Sequence, residues 1–189
     1  MKRGLVLVAF LTLAFSALSP ATVLADSGTQ TYQLHLEVPN VSEASNGDRV
    51  SVTGMGVFGV HPKTVNASGT FTHTTSTATV VASGTWAATD LLEYQSSGCG
   101  VLTAPNPDVT LPPNFCGGVV RMRVLLTVTA PASLAGFEAE GILTVFCIVG
   151  PNPPNSHDDP SGEGITLVVP GIANFNKIVT GMNIYIRTS

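Results

Sequence analysis

Charge is what this sequence has least of. Lysine and arginine together number 8 and aspartate and glutamate 12 in a chain of 189 residues, so only 11% of the side chains are charged. A nucleic-acid-binding protein needs a basic face to neutralise phosphates, and the slightly acidic balance argues against that class. Charge this sparse also argues against a solvated disordered chain or a coiled coil. The length suits one domain, with room for one processed segment.

Recognisable catalytic, cofactor and metal motifs are missing as well. There is no Gly-x-Ser-x-Gly elbow, and no glycine-rich loop precedes a helix. The acidic cluster of His157–Asp159 with Glu163 lacks the spaced ladder of a calcium loop and is interpreted as a solvated turn. No histidine has HxH or HxxxH spacing, so a metal site shared by three histidines across strands is the less favoured interpretation. Those three are His35, His61 and His73. The sequence therefore predicts no catalytic, cofactor-binding or metal-binding residue.

The first 25 residues have the pattern of a secretory signal peptide. Lys2 and Arg3 precede an uncharged apolar run over 4–18, and Val23 and Ala25 place small residues before a cleavage point at Asp26. Fifteen helical residues rise about 22 Å, which is short of the roughly 30 Å hydrocarbon core of a membrane. We therefore expect cleavage after Ala25 rather than an uncleaved anchor. The expected mature domain is 26–189, secreted to the extracellular space or cell envelope, with no stable membrane span.

Beyond the signal segment, the sequence reads as a succession of strands. Apolar and polar residues alternate with period 2 over 32–38 and again over 120–128, which is typical of half-buried strands. No window shows the apolar spacing of an amphipathic helix. The predicted strands cover 32–38, 49–60, 65–73, 78–88, 91–95, 120–128, 137–147, 165–169 and 175–186, separated by long loops at 97–118 and 150–164. About nine strands without a helix predict an all-β fold, an antiparallel barrel or alternatively a sandwich.

A repeated glycine-x-aromatic unit favours the barrel. Gly56-Val57-Phe58, Gly69-Thr70-Phe71 and Gly84-Thr85-Trp86 fall on three neighbouring predicted strands. Glycine within a strand allows a sheet to bend sharply, and a nearby aromatic ring can cover the bare backbone. We expect Phe71, Trp86 and Tyr94 to lie inside the barrel, lining either a packed core or a cavity.

The three cysteines allow one disulfide and one remaining thiol. Cys99 and Cys116 flank the same proline-rich loop, so their pairing is the favoured one in an exported protein. Cys147 shares strand parity with Leu143 and Val145, which predicts a small core residue. Pairings that use Cys147, or three free thiols, are the alternatives.

Several segments resemble a family of secreted prokaryotic all-β proteins that has no assigned activity. The segments are 48–94 with its two Ser-Gly-Thr-aromatic strands, Gly117-Gly118 before 119–126, and 174–177 near the end. This resemblance implies the fold but assigns no functional residue. A weaker, fold-level likeness to the barrels of dirigent proteins and allene oxide cyclases depends on the glycine-x-aromatic meander alone.

These observations favour a secreted, non-enzymatic β-domain that binds a ligand or a surface. The expected partner is a small apolar ligand or a cell-surface component. The rival is a barrel-type cyclase or isomerase, or a small-molecule carrier, with an apolar cavity. A hollow interior lined by Phe71, Trp86 and Tyr94 with one buried carboxylate favours the rival, and a filled interior favours the binding domain.

Overall fold

The computed structural model describes residues 29–103, 108–153 and 162–189. The predicted signal peptide, 1–25, and the cluster His157–Asp159 lie outside the described residues. Within the described ranges the fold is all-β, as predicted, and contains no helix. The strands are β1 (Thr31–Ala44), β2 (Arg49–Gly59), β3 (Thr64–Thr74), β4 (Val80–Cys99), β5 (Val101–Leu102), β6 (Val109–Thr110), β7 (Phe115–Ala130), β8 (Glu138–Cys147), β9 (Gly164–Val169), β10 (Ala173–Thr180) and β11 (Asn183–Arg187).

Nine of these strands form one antiparallel sheet that closes on itself. Its order is β10-β9-β8-β7-β11-β1-β2-β3-β4, and further pairings join β4 to β7 and β10 to β1. Eight strands therefore run round a barrel-like ring, while β11 fills a gap between the first half of β1 and the start of β7. The short strands β5 and β6 pair with each other, and Leu102 of β5 also forms an isolated bridge with Gly150. The closure confirms the prediction of an antiparallel barrel.

Strand alternation places the core inside this ring. In β7 the even-numbered residues from Val120 to Val128 are all buried, whereas Arg121 and Arg123 project outward. Arg121 binds Glu93 at 3.0 Å, and Arg123 lies 3.3 Å from Asp90. These exposed ion pairs contribute little to stability, so burial of the inward side chains stabilises the fold.

Strand β1 differs from the prediction because it continues through Pro39 to Ala44. Its first half pairs with β11, from Tyr32 to Leu36, and its second half pairs with β10 from Val41 onward. The register against β2 shifts between Leu36 and Asn40, which marks a bulge. Proline has no N–H to donate, and a bulge between two partner strands is a place where none is needed.

Strand β4 also corrects the prediction, since the two segments predicted at 78–88 and 91–95 form one strand of 20 residues. Register shifts against β7 lie between Ala88 and Asp90, between Leu91 and Glu93, and between Ser96 and Gly98. These irregularities interrupt the period-2 pattern, which is why the sequence suggested a break. The loop predicted at 97–118 is also shorter, because β4 continues to Cys99 and β7 already begins at Phe115. The β5–β6 pair lies within this loop.

The glycine-x-aromatic units interlock across the first strands of the ring. Gly69 is the register partner of Trp86, and Phe71 is the partner of Gly84. The Trp86 ring also lies over Gly54 of β2, where an added Cβ would come within 2.4 Å of a ring carbon. A Cβ on Gly69 would collide with the backbone carbonyl of Thr53. The glycines thus allow close strand approach and leave room for the aromatic rings, as predicted.

Candidate functional site

The middle of the barrel is filled by two of the predicted aromatic residues. Trp86 is 2% exposed and Phe71 6%. The indole Nε1 donates a hydrogen bond to the Thr53 carbonyl at 2.9 Å. The space between these rings and the surrounding Val52 and Leu143 side chains is too small for a water molecule. Phe71 and Trp86 are therefore packed core residues at this level of the barrel.

Tyr94, the third predicted interior residue, belongs to an aromatic cluster away from Trp86. Its ring lies 5.0 Å from the rings of both Tyr32 and Phe58, and Tyr185 lies 5.7 Å from Phe58. The hydroxyls of Tyr94 and Tyr185 donate to backbone carbonyls at 3.2 and 2.9 Å. Burial raises the pKa of both phenols well above the ordinary value. Both hydroxyls are therefore held within the packed aromatic cluster.

A cavity of about 240 Å³ opens at one end of the barrel, which we call the mouth. At the mouth β2, β4, β8 and β10 begin, and β3, β7 and β9 end. The floor of the cavity consists of buried side chains that project inward from these strands. The main ones are Phe71, Leu126, Leu167 and Phe175. Phe71 thus packs against Trp86 on one side and faces the cavity on the other.

The rim of the mouth is apolar and exposed. Leu134 and Phe137, both in the β7–β8 connection, are 42% and 51% exposed, and Ile172 in the β9–β10 turn is 59% exposed. All three line the cavity. Single exposed apolar residues are common on protein surfaces, but a group that surrounds an apolar cavity is typical of a binding site.

One polar side chain, His73, contributes to the cavity wall. Its position at the end of β3 has the same inward parity as Phe71. The imidazole Nε2 lies 3.4 Å from Oδ2 of Asp48, whose Oδ1 accepts the backbone N–H of Ser76 at 3.2 Å. The ring of Phe175 meets the imidazole edge to face at 5.2 Å. His73 is therefore held from two sides.

The histidines show no arrangement for metal binding in the described part of the chain. His35 contacts Gln33 at 3.3 Å and lies 3.9 Å from Glu37. Among the described residues no three His, Cys, Asp or Glu side chains converge as a metal site requires. Among the described histidines, His73 is the one that lines the cavity. Its parity with Phe71 was the available signal.

The disulfide between Cys99 and Cys116 is present as predicted. The two residues are register partners on β4 and β7, and the S–S distance is 2.06 Å. Cys147 is a free, buried thiol, as its strand parity predicted. Its Sγ donates to the carbonyl of Asn183 at 3.0 Å.

We expect Cys147 to react with thiol reagents only after unfolding. Burial raises the pKa of this thiol to about 12, so at pH 8 about one molecule in 10⁴ carries the reactive thiolate. Labelling with a maleimide, followed by peptide mapping without reduction, measures this. The native protein should take up no label, and the protein in 6 M guanidinium should take up one label, on Cys147. Labelling of native Cys147 within minutes, or of Cys99, would contradict the structure.

A buried polar clamp, which the sequence analysis missed, joins the strands where β1 changes partner. The Asn183 amide Nδ2 lies 3.0 Å from Oδ1 of Asn40, 2.9 Å from the carbonyl of Phe146 and 3.0 Å from that of Gly164. Asn40 and Asn183 are 0% and 2% exposed. The alternation of apolar residues carries no signal for such a contact between distant strands.

Comparison with family models, with curated proteins and with solved structures finds no match for this chain. In the ranges that the structure describes, no helix is long and apolar enough to span a membrane. The mouth of the barrel, with its apolar cavity and exposed apolar rim, is the candidate functional site.

Proposed function

We propose that this chain is a secreted, non-enzymatic binding domain that takes a small apolar ligand into the mouth of its barrel. The observation that carries the proposal is the apolar cavity of about 240 Å³ with its exposed apolar rim. The disulfide is compatible with an oxidising compartment outside the cytoplasm, and the pattern of the first 25 residues also supports export.

The size of the cavity limits the ligand. A cavity of about 150 Å³ lined by leucine, isoleucine and phenylalanine stays dry and binds benzene. Sites for whole drug-sized molecules occupy about 300–1,000 Å³. The volume of the cavity at the mouth lies between these values, and it suits a bicyclic ring system or a short branched chain. Because the mouth is open at its rim, a larger molecule can insert such a group and leave the remainder outside.

A barrel-type cyclase or isomerase is the second candidate, and the observation in its favour is the His73–Asp48 pair beside the cavity. The filled interior around Trp86 favours binding, because a cyclase must enclose its substrate. The hydroxyls of Tyr94 and Tyr185 donate hydrogen bonds to backbone carbonyls. A carrier for small apolar molecules uses the same cavity as the proposed binding domain.

Naphthalene is a suitable probe because it is neutral, bicyclic and without hydrogen-bonding groups. We expect it to bind the wild-type protein with one-to-one stoichiometry, measured by its fluorescence or by calorimetry. Ala173→Phe places a large ring in the cavity from the start of β10 and should weaken binding at least tenfold. Met55→Phe is the matched control, since Met55 is 64% exposed and does not line the cavity. Its binding should equal that of the wild type.

The proposal fails if naphthalene does not bind, or if Ala173→Phe binds as tightly as Met55→Phe. Native mass spectrometry of protein recovered from a secreting host gives an independent readout, because a retained ligand adds a defined mass. Loss of that mass in Ala173→Phe would place the natural ligand in the mouth.

A further inference from the structure

Of the described residues that line the cavity at the mouth, a single one has a side chain that can form hydrogen bonds. Apart from His73, its lining side chains are those of valine, leucine, isoleucine, alanine and phenylalanine. An apolar pocket with one fixed polar group is the usual way in which a site orients a ligand that has one polar end. The tautomer of the His73 imidazole determines whether that polar end donates or accepts a hydrogen bond.

Asp48 determines which nitrogen of His73 carries the proton. An ionised carboxylate can only accept, so Nε2, at 3.4 Å from Oδ2, is the donor. In the neutral ring Nδ1 is then an acceptor. No hydrogen bond to Nδ1 is found among the described residues. The second Asp48 oxygen accepts the Ser76 N–H, which holds the carboxylate and thereby the tautomer.

The charges around the mouth disfavour an anionic ligand. Asp48 brings a negative charge to His73, and its side chain is 23% exposed. Arg49 on β2 and Lys177 on β10 bind Glu43 at 2.9 and 3.1 Å. They lower the pKa of Glu43 and are thus engaged with that carboxylate. A carboxylate-bearing ligand would meet Asp48 without a free cation beside it.

We propose that the ligand is a neutral amphipathic molecule whose apolar body fills the mouth and whose hydroxyl group donates a hydrogen bond to Nδ1 of His73. This inference rests on the proposed function, because it specifies the ligand class of the same cavity. Asp48 is a positioning residue in this arrangement, since it acts through the imidazole.

Three probes with the same ring system separate the contributions of the apolar cavity, the hydroxyl group and a negative charge to the affinity. Naphthalene measures the apolar cavity alone, 1-naphthol adds the hydroxyl, and 1-naphthoate adds an anion. A single hydrogen bond to a group in a partly buried site increases affinity by roughly threefold to tenfold. We expect 1-naphthol to bind the wild type tighter than naphthalene by about that factor, and 1-naphthoate to bind more weakly than 1-naphthol.

Two variants assign the preference to the proposed residues. His73→Phe keeps a ring of similar size and removes both nitrogens, so the ratio of its affinities for 1-naphthol and naphthalene should fall to about one, whatever its affinity for naphthalene itself. Asp48→Asn removes the charge while it keeps an acceptor oxygen, so the affinity for 1-naphthoate relative to that for naphthalene should rise several-fold. The thermal unfolding midpoint of each variant verifies that it is folded.

The outcomes distinguish this inference from the proposed function. If naphthalene fails to bind the wild type, the binding site itself is wrong and the inference falls with it. If naphthalene binds but 1-naphthol binds no tighter, only the inference is overturned. It is also overturned if His73→Phe retains the preference, or if 1-naphthoate binds the wild type tightest, because His73 would then act as a cation.

Discussion

Replacement of Trp86 by alanine is expected to lower the free energy of unfolding by about 3–5 kcal/mol, a large part of the roughly 5–15 kcal/mol of a typical domain. The indole is 2% exposed, lies over Gly54 and packs in the filled middle of the barrel. Removal of the ring leaves a cavity that the sheet cannot close, because Gly54 and Gly69 offer no side chain to fill it. The variant also leaves the Thr53 carbonyl without the indole N–H.

Trp86→Phe is the matched control for this prediction. It keeps most of the buried aromatic surface and removes the hydrogen bond, so its cost should stay well below that of the alanine variant. Urea denaturation gives both values. Blue-shifted fluorescence of the wild type that iodide quenches poorly provides a second test. Red-shifted, readily quenched emission, together with an unchanged midpoint for Trp86→Ala, would place the indole on the surface and contradict the structure.

The parts of the fold that could be predicted from the sequence are those encoded by local alternation. Period 2 in β7 identified the inward side chains from Val120 to Val128, and the parity of Cys147 identified it as a core residue. The Cys99–Cys116 disulfide followed from two cysteines that flank one loop. Each inference needs only residues close together in the chain, because alternation is a property of a single strand.

The predictions that were wrong concern features that depend on contacts between distant strands. The predicted first strand ends at Val38, because a proline such as Pro39 usually interrupts a ladder. In the structure β1 continues because it exchanges β11 for β10 at that point. The bulges in β4 likewise disturbed the local pattern and suggested two strands instead of one. No property of either segment alone indicates which partner strand lies beside it.

In the candidate site, too, the features encoded by local alternation could be predicted and those that depend on distant strands could not. Phe71 and Trp86 are buried and Tyr94 is half-buried, but the cavity lies at the mouth of the barrel rather than among all three of them. Its rim comes from Leu134, Phe137 and Ile172, which all lie in connections between strands, although the alternating pattern places Phe137 at the start of a predicted strand. Closure of the ring brings these residues beside His73. A single sequence shows which positions are polar or apolar, but it does not show that these residues meet at the mouth.

The second large effect is expected at the buried clamp, where Asn183→Asp should destabilise the protein by at least about 3 kcal/mol. The Asn183 Nδ2 faces three oxygen atoms, at 2.9–3.0 Å, from β1, from the end of β8 and from the start of β9. Oδ1 has no partner among the described residues, and the reverse amide orientation would direct this oxygen at three others. Aspartate places an oxygen there in either orientation, so the substitution leaves buried acceptors unpaired and adds a buried charge.

Asn174→Asp is the matched control, because Asn174 is exposed on β10 of the same sheet. Its unfolding free energy should stay within about 0.5 kcal/mol of the wild type, as is usual for surface substitutions. Asn183→Ala should fall between the two, since it removes the donor without adding an oxygen or a charge. Urea denaturation of the three variants at neutral pH decides the order. If Asn183→Asp unfolds within 1 kcal/mol of Asn174→Asp, the amide does not hold β11 in the gap between β1 and β7, and the closure of the barrel at that seam must depend on the backbone ladders alone.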